Sequence, residues 1–157
     1  MDKQTLNKLK QLQKIRVRTQ EKLLSIDKKS YMDACDVLEK RNSSISDIHE
    51  ENNRVNTYAS NDYVIESPVH RDRVHIRKFW LDYDLEMHEY YHEQELNSKI
   101  DAESVYVSRK KLWNKEKQKS DLLNKRLSKL MIQENALAEN RDDELSQEDT
   151  VMNRGEP

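Results

Sequence analysis

The sequence predicts an all-α protein: a long two-helix antiparallel coiled-coil hairpin with a frayed acidic C-terminal tail. Three observations lead there. The chain of 157 residues holds one glycine, Gly155, and two prolines, of which only Pro68 is interior. Proline and glycine are the residues that interrupt helices, so nothing from Asp2 to Ser67 or from Val69 to Arg154 forces a break. Apolar residues make up 34% of the chain and charged residues 37%, where a globular domain has about 45–50% and about 25%. That composition cannot fill a thick core, but it can line a narrow seam between two helices. Finally, the apolar residues recur at helical spacing, which a disordered chain of the same composition has no need to do.

The first helix is expected over about residues 4–59. Read in sevens, Val17, Leu24, Tyr31, Leu38, Ile45 and Ala59 share one position, with Asn52 in the same register. Ala34, Ile48 and Val55 share the other, which Gln20, Asp27 and Arg41 interrupt. A loop containing Pro68 follows, over about 60–71. The second helix is expected over about 72–145. There Val74, Leu81, His88, Ala102, Leu123, Leu130 and Leu137 share one register, and Leu85, His92, Tyr106, Trp113 and Leu127 its partner. Glu95, Lys99, Arg109, Glu116 and Ser120 break the pattern. Stripes of this spacing bury only against another helix. A short connection favours an antiparallel return, giving a rod of roughly 85 Å at 1.5 Å per residue. Residues 1–145 form one helical hairpin in this reading, and 146–157 a flexible tail.

Charge is distributed unevenly. Residues 1–29 carry nine Lys/Arg against three Asp/Glu, and 104–131 nine against two. Residues 31–52 carry two basic and six acidic groups, and 82–103 one and eight. A hairpin brings like segments together, producing a basic end at the termini and an acidic half toward the loop. A basic end favours an acidic partner through a salt-sensitive attraction, although a coiled coil carries charge on its outer face in any case. Phe79, Trp80 and Leu81 are consecutive and point about 100° apart, so at least one large ring is exposed or covered by the loop. Exposed rings suit binding; the alternative is local packing against the returning loop.

Several functions find little support. His88-Glu89-Tyr90-Tyr91-His92 matches HExxH, the zinc-hydrolase pattern in which two histidines on one helix face hold the metal and the glutamate polarises water. Both histidines, however, fall on the seam, no third ligand follows at a familiar spacing, and the flanks are charged. The pair suits adventitious metal binding better than catalysis, and no catalytic, cofactor or resident metal residues are assigned. Cys35 is the only cysteine, so neither an internal disulfide nor a CxxC knuckle exists. No phosphate-binding glycine loop, nucleic-acid recognition fold, secretory leader or membrane-length apolar run is visible.

The run from Leu9 to Lys22, in which Arg16, Val17, Glu21 and Lys22 occupy an R-V-x-x-x-E-K-like pattern, resembles the start of central stalk proteins of type III secretion systems. Ala138-Glu139-Asn140-Arg141 and the stretch from Arg141 to Gln147 resemble C-terminal segments of the flagellar and injectisome members. These motifs cover the two ends; length, scarcity of glycine and helical pattern agree across the chain. The resemblance implies a non-enzymatic, cytoplasmic coiled-coil stalk, similar to the rotor stalk of rotary ATP synthases. Its terminal end would enter a hexameric export ATPase and promote ring assembly and activity. Its far end would point to the cytoplasmic domain of the export gate, with export chaperones as further partners. On that implication Lys14, Arg16, Arg18, Lys22, Lys115, Lys119, Arg126 and Lys129 are expected at the ATPase, and Phe79, Trp80 and Tyr83 at the gate. A general coiled-coil scaffold or chaperone-escort protein is the alternative class, and an HExxH zinc hydrolase a more remote one.

Overall fold

The computed structural model describes residues 3–153. It is all-α, in the order α1 (Lys3–Ala59), α2 (Asp62–Glu66) and α3 (Pro68–Asn153). α1 and α3 pack together. The chain divides into two compact units. The first combines Met1–Leu23 with Lys110–Pro157, and the second is Leu24–Arg109.

In the second unit the core lies where α1 ends and α3 begins. Val55 of α1, Val64 of α2, and Val74 and Leu81 of α3 form one buried cluster, with Ile48 and Ala59 against it. Val64 is 1% exposed. The segment that delivers it differs from the expected loop over about 60–71. Asn61 caps a five-residue helix, its side chain accepting a hydrogen bond from the Tyr63 amide. An asparagine oxygen at this position satisfies one of the amides that a first turn leaves without a partner. Ser67 is extended, with φ −101° and ψ 114°, as a residue preceding proline must be. Pro68 then opens α3 rather than lying inside a loop. At the first helical position its missing N–H costs nothing and its fixed φ suits the helix. No described residue has a positive φ, which is why this connection needs no glycine.

Farther along the second unit the residues withdrawn from solvent recur three and four apart. On α1 they include Leu24, Asp27, Tyr31, Ala34, Leu38, Arg41, Ile45 and Ile48; on α3, Leu85, His88, His92, Glu95, Lys99, Ala102, Tyr106 and Arg109. These are the two seam registers read from the sequence, polar breaks included. Four of the breaks pair with one another. Arg109 Nε donates to Asp27 Oδ2 at 2.9 Å. Arg41 donates through Nε and Nη2 to the Glu95 carboxylate, the shortest contact being 2.7 Å. Tyr31 and Tyr106 stack with ring centroids 5.9 Å apart.

In the first unit the same spacing withdraws Leu6, Gln13, Val17 and Gln20 on α1, and Trp113, Glu116, Ser120, Leu123, Leu127 and Leu130 on α3. Gln13 is buried, and its Nε2 donates to the Glu116 backbone carbonyl at 2.9 Å and side-chain oxygen at 2.6 Å. Lys3 pairs with Glu134. Beyond that pair no other described residue is withdrawn from solvent on α3. Every described position over 131–152 is exposed, including Leu137, which the sequence pattern assigns to the seam and which is 63% exposed. α3 is helical through 146–153, past the expected helix end near 145; the rest of the expected tail, 154–157, lies outside the described residues.

Candidate interaction surfaces

The eight basic residues expected at an ATPase all belong to the first unit. Lys14, Arg16, Arg18 and Lys22 project from α1, and Lys115, Lys119, Arg126 and Lys129 from α3; every one is exposed. Among the described residues only Lys119 of this set forms an ion pair, Nζ to Glu116 Oε1 at 2.9 Å. The remaining charges face solvent. The seam beneath is anchored by Gln13 and Glu116, and Lys117 Nζ sits 4.9 Å from the centre of the Trp113 ring. The structure thus gathers the basic side chains of two distant sequence segments onto one body.

Phe79, Trp80 and Tyr83 lie in the second unit and are 64%, 53% and 48% exposed. They pack edge to face, Phe79 on Trp80 at 5.6 Å and Trp80 on Tyr83 at 6.0 Å. Of the two sequence alternatives for these rings, the structure has the exposed one. Val64, not an aromatic ring, is what α2 buries. Phe79 and Tyr83 also border a shallow hollow of about 360 Å³ with Asp82, Glu86 and Glu89. A second aromatic group ties the connection together: Tyr58 Oη lies 3.1 Å from His70 Nδ1, and Tyr63 Oη 3.2 Å from His70 Nε2.

The HExxH residues resolve differently. His88 and His92 are half-buried on the seam of the second unit. Arg41 Nη1 lies 2.8 Å from His88 Nδ1. A guanidinium has donors only, so Nδ1 accepts and the ring proton of the neutral imidazole sits on Nε2. In this arrangement neither nitrogen of His88 has a lone pair to offer a cation. No group of three or more His, Cys, Asp or Glu among the described residues is placed to hold a metal. The Arg41 guanidinium carbon also lies 5.1 Å from the Tyr91 ring centre.

Two seam carboxylates are perturbed. The hydrogen bond from Arg41 holds Glu95 below its ordinary pKa, against a smaller opposing effect of burial. Hydrogen bonds from Lys119 and then Gln13 do the same for Glu116. A carboxyl whose pKa falls on folding stabilises the fold above its unfolded value, about 4.3 for glutamate, and loses that contribution as pH drops through the folded value. Stability is therefore expected to decline with acidification below about pH 4.3, and Glu95→Gln should flatten this decline. Thermal unfolding of both chains across that range checks the slope; equal slopes exclude Glu95 as a source.

Comparison with family models, with curated proteins and with solved structures returned no match. No helix among the described residues is long and apolar enough to cross a membrane.

Proposed function

We propose that this protein is a non-enzymatic central stalk of a type III secretion apparatus, acting in the cytoplasm between a hexameric export ATPase and the cytoplasmic domain of the export gate. The observation that carries the reading is the first unit itself: eight exposed basic side chains from two remote segments on one slender helical body, seven of them without an internal ion pair among the described residues. We further read α1 and α3 as the arms of an antiparallel coiled-coil hairpin. Within the second unit the partners of Asp27, Tyr31, Arg41, Glu51 and Tyr58 are Arg109, Tyr106, Glu95, Arg77 and His70, falling as the first rise. Within the first unit, Lys3 and Gln13 meet Glu134 and Glu116 in the same sense.

In this role the stalk performs no chemistry. A single asymmetric body in a sixfold ring presents a different face to each subunit, biasing nucleotide binding and release. The exposed rings Phe79, Trp80 and Tyr83 supply the hot-spot chemistry for the gate; export chaperones are further partners.

Reversing Arg16, Arg18, Arg126 and Lys129 to glutamate should abolish ring binding and ATPase stimulation. All four are exposed, so helicity should persist. Unchanged binding and stimulation would sink the ATPase assignment and leave a general coiled-coil scaffold as the better reading. Alanine at Phe79, Trp80 and Tyr83 should impair secretion while sparing ATPase binding; loss of helicity instead would return the rings to a packing role.

A further inference from the structure

The part of α3 past Glu134 is helical, and its described side chains are exposed through residue 152. Val151 and Met152 are 71% and 78% exposed, and Glu144 and Glu148 flank them around a shallow hollow of about 590 Å³. Residues 132–153 carry seven Asp/Glu against one Lys/Arg. Two apolar side chains about one turn from a pair of carboxylates call for a basic, partly apolar surface.

Such a surface exists elsewhere on the same unit. Between α1 and α3 lies a hollow of about 450 Å³ with Leu127 and Met131 in its lining and Lys10 and Lys14 along one side. The two lysines are four residues apart on α1, and Glu144 and Glu148 are four apart on α3. Side chains at that spacing share a helix face about 6 Å apart, so two ammonium groups can meet two carboxylates in register. The chain cannot make this contact with itself. Residues 132–153 continue the same unbroken helix that supplies Leu127 and Met131, so they lead away from the hollow.

We propose that the acidic extension of α3 docks into the Lys10–Lys14 hollow of a second copy of this chain, reciprocally, forming a two-fold dimer. The contact is isologous: each copy gives one extension and receives one. It occupies Lys14, which the stalk reading assigns to the ATPase, so the dimer and an ATPase complex at Lys14 exclude one another. The inference does not depend on the stalk reading, and its test contains no ATPase.

The test is a charge swap on the full-length chain, read as molar mass by light scattering or sedimentation. Wild type should show twice the mass of one chain at low salt. It should fall to that of one chain near 1 M salt, where the screening length shrinks to about 3 Å. Lys10→Glu/Lys14→Glu alone, and Glu144→Lys/Glu148→Lys alone, should each lose the dimer, since each sets like charges together at both contacts. Mixing the two variants should restore it, because both contacts are then complementary. All four positions are exposed, and circular dichroism verifies that each variant stays helical. Single-chain mass for wild type at low salt overturns the proposal. So does a dimer that survives either reversal, or a mixture of helical variants that remains monomeric.

Discussion

Leu81→Ala is expected to lower stability by about 2–5 kcal/mol, the range for truncating a buried leucine that leaves a cavity behind. Leu81 is 3% exposed and belongs to the cluster with Val55, Val64 and Val74. That cluster joins all three helices. Few other residues are as well buried, so little neighbouring apolar mass can move in to fill the space. Chemical denaturation gives the value directly. A conservative control, Leu81→Met, should cost less than about 1.5 kcal/mol because it preserves volume. A loss below about 1 kcal/mol for the alanine variant would mean that the site collapses freely and that the cluster does not organise the second unit.

The second large effect concerns Arg41 and Glu95. Their side chains are 24% and 19% exposed, between the regimes of surface and fully buried ion pairs. Arg41→Leu should destabilise by about 1–2 kcal/mol, more than a surface pair contributes and less than a fully buried one. The loss has a specific origin: it leaves a carboxylate on the seam with no partner and releases His88 Nδ1. Arg41→Leu combined with Glu95→Leu should recover most or all of the stability, because the seam then becomes apolar and no charge is desolvated. Such recovery in a double-mutant cycle separates the cost of an orphaned charge from the value of the pair. If the double variant is as unstable as the sum of the single ones, the pair stabilises through packing instead.

The helices and their buried registers were legible because a period of 3.5 residues needs only a contrast between apolar and polar side chains. Tyr31, Leu38, Leu81 and Tyr106 all lie where that contrast places them. The polar breaks looked like defects when each helix was read alone. Arg41 and Glu95 are equidistant in sequence from Pro68, and so are Asp27 and Arg109; matching opposite charges about that point would have paired them. α2 was hidden for a different reason. Five residues are too few to show a period, and the useful sign was chemical: Asn61 as a cap ahead of Asp62, with Val64 one turn inside. Leu137 illustrates the converse. Its spacing is correct for a seam, but periodicity in one helix does not report where the opposing helix starts. The surfaces are least legible, since the exposed basic side chains obey no spacing rule and only folding shows which of them share a body.

The short separations near α2 also bear on how this chain reaches its structure. Tyr58 and His70 are 12 residues apart, Arg41 and Glu95 54, and Asp27 and Arg109 82. Closing the 82-residue loop outright costs about 1.7 kcal/mol more in chain entropy than closing the 12-residue one. Once Val64 is seated between Val55 and Val74, each later pair in the second unit closes only the few residues separating it from the last. The connection is therefore expected to act as a kinetic seed, with the local contacts forming early and the long helices joining progressively; φ-values of about 1 at Val64 and about 0 at Asp27 would be its signature.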